Sequence, residues 1–98
     1  MPINRFPNSS KIARAARKLS GKTLYQLGAE LGYKNGQFVS NCDRGLCAYP
    51  AKHFEYIAEL AGITLDEVIE ARLADKRLQI QIDLMDAKKK KELDEAKN

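Results

Sequence analysis

The sequence has no tryptophan, one histidine, His53, and only two cysteines, Cys42 and Cys47, among its 98 residues. One histidine, without paired acids in an apolar setting or a phosphate-binding loop, argues against an enzyme, so we expect no catalytic residue. Two cysteines do not make a disulfide framework. With one histidine they fall short of the four ligands of a structural zinc site, so we expect no metal and no cofactor.

Long hydrophobic runs are also missing. No stretch approaches the length of a membrane span, and the first residues lack the apolar core of a signal peptide. We therefore expect a cytoplasmic protein with no membrane contact and no small-molecule substrate. With 44% hydrophobic and 31% charged residues, a chain of 98 residues fits one small folded domain with a tail.

Acidic residues are scarce in one half of the chain. Residues 1–53 hold nine lysines and arginines against two acids, whereas residues 54–98 hold eight bases against eleven acids. A generally basic surface kept for solubility does not explain why the acids avoid one half. The asymmetry indicates a polyanionic partner for the first half, such as a nucleic acid.

The first eight residues, with two prolines, are typical of an extended arm. Arg5 in this arm either reaches a DNA minor groove or belongs to a frayed terminus. Ser9 or Ser10 is expected to cap a first helix that runs from Lys11 to about Leu19.

The stretch from residue 23 to residue 45 carries the clearest motif. Thr23 and Gln26 make a capping box at the start of a second helix, which Gly32 ends. After a tight turn comes a short helix with three core residues, Phe38, Val39 and Cys42. Two short helices joined by a glycine-containing turn are typical of a helix-turn-helix, whose second helix enters the DNA major groove. The alternative is an αα-hairpin that only packs.

Two more helices are expected after the motif. Pro50 fits the first turn of a fourth helix that Gly62 ends, and Thr64 with Glu67 makes a second capping box that starts a fifth. No glycine or proline follows, so this helix is free to continue beyond the domain. The chain then divides into an N-terminal arm, residues 1–8, a domain, residues 9–73, and a C-terminal extension, residues 74–98.

The extension contains an ambiguous segment, residues 77–85. Its apolar and polar residues alternate, which is a strand period, but on a helix the same residues form two stripes. We favour the helix because the neighbouring residues are strong helix formers, and keep the strand as the alternative. The apolar residues are expected to meet a partner chain, most simply in a two-fold dimer, or to fold back onto the domain. They are Leu78, Ile80, Ile82, Leu84 and Met85.

The order of these parts resembles the lambda-repressor-like domain, the Cro/repressor-type XRE family of helix-turn-helix regulators. The resemblance covers residues 11–73, and its most specific pieces are residues 23–32, 37–45 and 57–68. It implies a five-helix all-α domain that binds operator DNA, usually as a dimer.

By this resemblance the recognition helix is residues 37–44, with Gln37, Ser40 and Asn41 at base-reading positions and Arg44 at a phosphate-contacting position. Amide side chains bond well to adenine in the major groove. The flanking residues expected to contact phosphates are Lys22, Lys34, Asn35 and Lys52.

These expectations describe a sequence-specific, DNA-binding transcriptional regulator, repressor-like and of phage or mobile-element type. It would bind a palindromic operator in double-stranded DNA as a homodimer, and would be nucleoid-associated when bound. The alternative function is a protein-binding module on the same fold, such as an antitoxin or an antagonist of a host factor.

Overall fold

A computed structural model describes residues 4–96, with side chains for residues 4–92. The helices are α1 (Pro7–Ser20), α2 (Leu24–Glu30), α3 (Gln37–Asp43), α4 (Phe54–Ala61) and α5 (Leu65–Ala96), with a 3-10 turn at Ala51–His53. Residues 4–96 contain no strand, so the all-α class and the helical alternative for residues 77–85 are confirmed. Residues 1–3 of the expected arm and residues 97–98 of the expected tail lie outside the described part.

α1 is the central helix and packs against α3, α4 and α5. Its buried positions are mostly small: Ala13 and Ala16 are almost fully enclosed, which lets α4 approach closely with Ile57 and Ala61. Leu19, expected on this buried side, is instead 70% exposed at the end of the helix. Across the described helices, no segment has the length and apolar character needed to cross a membrane.

α1 begins earlier than its sequence indicates. The expected cap was Ser9 or Ser10, but the helix starts at Pro7, and Ser10 lies fully buried inside it. The reason is Asp75 on α5, whose carboxylate accepts hydrogen bonds from the first-turn backbone N–H groups of Asn8 and Ser9, both at 2.8 Å. Pro7, Asn8 and Asp75 therefore belong to the packed body. The domain expected from the sequence, residues 9–73, leaves these three residues out.

The residues just before α1 are held in place. The N–H groups of Arg5 and Phe6 both donate to the carbonyl oxygen of Gly45, and the Phe6 ring lies 4.9 Å from the guanidinium carbon of Arg72. The Asn4 amide also donates to the buried hydroxyl of Ser10. This part of the expected arm therefore packs onto the end of α3 and onto α5, and neither frays nor extends.

α2 begins and ends where its sequence indicates. The Thr23 hydroxyl accepts from the Gln26 N–H, and the Gln26 side chain accepts from the Thr23 N–H, so the expected capping box is confirmed. Gly32 takes a left-handed conformation after the helix, with φ of 91°. Leu27 on this helix is fully buried.

The turn between α2 and α3 packs backbone against backbone. A Cβ atom added at Gly28 would lie 2.4 Å from the carbonyl oxygen of Asn35, and one at Gly36 would lie 2.8 Å from atoms of Leu24. Glycine at these two positions therefore sets the spacing of α2 and α3, as the sequence suggests for Gly28.

Replacing Gly28 with alanine is expected to destabilise the protein by about 1–2 kcal/mol, because the clash outweighs the roughly 1 kcal/mol that alanine gains in helix propensity. Urea unfolding followed by circular dichroism measures the change. Ala29→Ser at the next, exposed position is the matched control and should stay within about 0.5 kcal/mol. Equal stabilities of the two variants would show that the close approach is not required.

α4 ends and α5 starts at the expected signals, but α4 begins only at Phe54, after the 3-10 turn, so Pro50 does not lie in its first turn as the sequence indicates. Gly62 is left-handed with φ of 70°, and the Thr64 and Glu67 side chains each accept the other residue's N–H. On α5 the expected apolar face is only partly buried. Val68 is enclosed, but Leu65 and Leu73 are exposed, because the helix packs on α1 and α4 through a different side.

Candidate nucleic-acid interface

The exposed side of α3 carries a row of three hydrogen-bonded polar side chains, Gln37, Asn41 and Arg44, here called the α3 row. The Asn41 side-chain oxygen accepts from Gln37 Nε2 at 2.9 Å and from Arg44 Nη2 at 2.7 Å. A guanidinium group only donates, so the Asn41 oxygen must face Arg44 and its NH₂ group must point elsewhere. Gln37, which donates to Asn41, is left with its own oxygen as a free acceptor.

The other expected base-reading residue, Ser40, is not part of this row. Ser40 and Asn41 are both half-buried, whereas Gln37 and Arg44 are exposed. Asn35, expected to contact phosphate, uses its side-chain oxygen to accept the Gln37 backbone N–H at 2.9 Å. It thereby stabilises the first turn of α3, where helix N–H groups lack partners.

The opposite side of α3 belongs to the core. Val39 and Cys42 are buried, and Phe38 stacks on Tyr33 with ring centroids 4.5 Å apart. Burial raises the pKa of the Cys42 thiol to about 12. At neutral pH Cys42 is therefore a protonated core side chain and not a thiolate ligand.

Two arginines of α1 bind the C-terminal end of α3 through hydrogen bonds. Arg17 Nε donates to the Asp43 carboxylate at 2.6 Å, and Arg14 Nη1 donates to the Asp43 carbonyl oxygen at 2.7 Å. Both arginines are also possible phosphate contacts by sequence, but here they hold the end of the helix. Asp43 itself is buried, so the pair is shielded from solvent better than a surface ion pair.

A cluster of rings fastens the other end of α3. The Tyr33 hydroxyl and His53 Nε2 are 3.2 Å apart, and Tyr49 packs edge-on against both Phe38 and His53. These contacts bring the 3-10 turn beside the turn that precedes α3. Two exposed lysines, Lys34 next to Tyr33 and Lys52 next to His53, therefore lie on neighbouring segments near the start of α3.

His53 is half-buried in this cluster, although its sequence position indicates an exposed residue. Burial lowers its pKa below the ordinary 6.5, and the positive charge of Lys52 lowers the pKa further. The folded state thus prefers the neutral imidazole. The resulting stability is fully present above pH 6.5, and it is lost as the pH falls below 6.5 and through the lower pKa of the folded state.

A pH titration of the His53 ring by NMR is expected to give a pKa below 6.5 in the folded protein and close to 6.5 in urea. Lys52→Gln should raise the folded value part of the way back. Lys34→Gln is the control and should leave it unchanged. A folded pKa at or above 6.5 would place His53 outside the ring cluster.

Lys22, another expected phosphate contact, is already paired. Its ammonium group forms an ion pair with Glu30, which also accepts a hydrogen bond from the Tyr56 hydroxyl. The hydrogen bond from Lys22 lowers the pKa of Glu30, and the same bond raises the pKa of Lys22. A phosphate at this position would have to compete with a carboxylate.

The acidic partners of Arg17 on α1 and of Lys22 were not predicted from the sequence. Asp43 and Glu30 are the only acids in residues 1–53, and each is bound to a basic side chain. Their isolation in a basic half was a signal that they pair internally. The ring cluster had no comparable signal, because its members lie in separate turns and helices.

No protein-family model, no curated protein and no solved structure matches the chain. Its function must therefore be inferred from its own residues, of which the α3 row and the lysines beside it are the most distinctive group.

Proposed function

We propose that this chain is a sequence-specific, DNA-binding transcriptional regulator of the lambda-repressor-like type, in which α2 and α3 form the helix-turn-helix. In this proposal α3 lies in the major groove of double-stranded DNA. The observation that carries the proposal is the α3 row, a set of hydrogen-bonded polar side chains with exposed members at both ends, Gln37 and Arg44, on a short helix that is held at both ends. A helix held in this way keeps its side chains in register with base edges.

The hydrogen-bond pattern of the row favours adenine. In the major groove adenine presents an acceptor, N7, beside a donor, the N6 amino group. The Asn41 NH₂ group and the Gln37 oxygen offer the complementary donor and acceptor. Arg44 is the only basic side chain in the row, so a guanine contact is confined to its end of the helix.

The basic residues around α3 are proposed to hold the DNA backbone. Lys34 and Lys52 are exposed near the start of the helix, and Arg44 lies at its end. Together they supply three phosphate contacts per protomer, which position the helix without reading sequence. Lys22 is a weaker candidate because Glu30 already neutralises it.

The regulator is proposed to act as a homodimer on a palindromic operator. Two recognition helices would then enter successive major grooves about 34 Å apart. The apolar residues of α5 beyond the body, Leu78, Ile80, Ile82, Leu84 and Met85, are exposed and form the proposed dimerisation segment. We place the protein in the cytoplasm, associated with the nucleoid when bound to DNA.

A second candidate is a protein-binding module on the same fold, such as an antitoxin or an antagonist of a host factor. The observation that favours it is the length of exposed apolar surface on α5, which fits a foreign partner as well as a second copy. In this case α3 would carry no base-reading role.

Selection of DNA from a random-sequence pool, followed by gel shifts of the selected pool, separates the two candidates. We expect enrichment of a palindromic, A·T-containing site. As a control, the Glu59→Ala variant removes an exposed side chain of α4, outside both α3 and α5, and should select the same site. A pool that stays random after repeated rounds would favour the protein-binding module.

A further inference from the structure

An apolar stripe runs along the outer side of α5. Four of its five members are exposed and the fifth, Ile69, is half-buried. The members of this outer stripe are Leu65, Ile69, Leu73, Ile80 and Leu84. It begins beside the body and continues past it, so it is longer than the expected dimerisation segment.

Helix geometry separates this stripe from the side of α5 that packs on the body. At about 100° per residue, Leu73, Ile80 and Leu84 point roughly 120–180° away from the buried residues Val68 and Asp75. The body therefore leaves the outer stripe open from Leu73 onward. Lys76 and Arg77 occupy the turn between Leu73 and Ile80. An apolar stripe of this kind is what one helix presents to another.

The other expected dimerisation residues lie elsewhere on the helix. Leu78, Ile82 and Met85 point roughly 140–200° away from Ile80, on the side that faces the body lower down α5. The five residues therefore do not make one surface, and a single helix partner can cover only one of the two groups.

Charges along α5 decide the direction of a helix partner. The helix starts with Asp66, Glu67 and Glu70 and carries Lys88 to Lys91 near its end. Two parallel copies would place acids against acids and lysines against lysines, which destabilises the pair. Two antiparallel copies would place the lysines of each beside the acids of the other.

One antiparallel register satisfies both the charges and the apolar stripe. With its two-fold axis at about Gln79, Leu73 of one copy meets Leu84 of the second on the helix geometry used above. The same register places Lys76 opposite Asp83, Glu70 opposite Lys88, and Asp66 opposite Lys91. The midpoints of all four pairs lie within half a residue of Gln79, and the two members of each charged pair point to the same side of the helix.

We propose that the outer stripe of α5 binds a second copy of this chain in an antiparallel helix pair centred at Gln79. The pair buries Leu73, Ile80 and Leu84 of both copies and uses Lys88 to Lys91 as partners for the acidic first turns. This proposal deepens the homodimer of the proposed function and rests on that part of it, not on DNA binding.

Disulfide trapping tests the direction and the side of the pair. The background is Cys47→Ser, which leaves only the buried Cys42. Leu73→Cys and Leu84→Cys variants, one with an affinity tag, are mixed and oxidised without DNA. We expect disulfides between the two variants. Neither variant should trap with itself, because two copies of residue 73 would be roughly 18 Å apart, well beyond disulfide reach.

The matched control is Met85→Cys, which is as exposed as Leu84 but points to the other side of α5. Mixed with Leu73→Cys it should give no disulfide. Disulfides between two copies of Leu73→Cys, and between two copies of Leu84→Cys, would show a parallel pair. A disulfide between Met85→Cys and Leu73→Cys would show that the helices do not pair through the outer stripe. A monomer at every concentration in sedimentation would overturn the proposal outright.

A charge exchange provides a test that does not depend on cysteine. A variant in which all four lysines at residues 88–91 are replaced by glutamate should lose the dimer mass in sedimentation. Adding Asp66→Lys, Glu67→Lys and Glu70→Lys to this variant should restore the dimer. Failure of the second change to restore dimers would contradict the register. Because neither test contains DNA, a chain that dimerises but selects no DNA site fails only the proposed function.

Discussion

Binding to a selected DNA site is expected to weaken by about 10³-fold when the salt concentration rises from 50 to 200 mM, for six phosphate contacts per dimer. The six contacts are Lys34, Arg44 and Lys52 from each protomer. Neutralised phosphates release condensed counterions, and added salt opposes that release. Gel shifts or fluorescence anisotropy at several salt concentrations measure the slope.

Single-residue variants identify which lysines contribute to the salt dependence of DNA binding. Lys34→Gln and Lys52→Gln should each reduce the salt slope by about 2 in a dimer and weaken binding to every DNA sequence alike. Lys11→Gln is the control, because Lys11 is an exposed lysine of α1 that lies outside both α3 and the proposed α5 pair. If Lys34→Gln and Lys52→Gln had the same salt slope as the unmodified protein, these two lysines would not contact phosphates.

Replacing Asp75 with alanine is expected to lower the free energy of unfolding by about 2–4 kcal/mol. Asp75 is only 1% exposed and accepts three hydrogen bonds, from the backbone N–H groups of Asn8 and Ser9 and from the Asn8 side chain. The variant would leave the start of α1 without acceptors. Thermal or urea unfolding of the two proteins measures the loss.

Asp86→Ala is the matched control, an exposed acid further along the same helix that should change the free energy of unfolding by less than about 0.5 kcal/mol. Asp75→Asn keeps one acceptor and should fall between the alanine variant and the unmodified protein. If Asp75→Ala were no worse than the control, α1 would not depend on α5 for its start.

The helix boundaries that rest on local chemistry could be predicted from the sequence. Thr23 with Gln26 and Thr64 with Glu67 cap helices by contacts within one turn, so nearby residues decide where these helices begin. The same holds for α3, whose expected range of residues 37–44 differs from the observed helix, Gln37–Asp43, by one residue. Its core side, with Val39 and Cys42 buried, also agrees with the sequence pattern.

The parts that depend on distant residues could not be predicted. Asp75 caps α1 across 67 residues, and Asp43 binds Arg17 across 26, so no local pattern records either contact. For this reason the start of α1 was placed too late. The paired state of Lys22 was missed because Glu30 lies eight residues away, on the far end of the next helix.

The helical state of residues 77–85 was the harder local question. Alternating residues favour a strand, yet the described residues, 4–96, include no strand with which this segment could pair, and α5 continues through it. Within the helix Gln79 donates to Asp83 at 3.0 Å, a contact that only helical spacing allows. The two-stripe pattern that made the segment ambiguous now separates an outer stripe from the body-facing side.

The central claim is that the α3 row reads bases, and one comparison tests it most directly. Random-pool selection and gel shifts are repeated with Asn41→Ala beside the unmodified protein. We expect the variant to fold normally, to keep its affinity for non-specific DNA, and to lose discrimination worth roughly 1–3 kcal/mol at one position of each half-site. An equal loss of affinity on every DNA sequence, or the same selected site for both proteins, would contradict it.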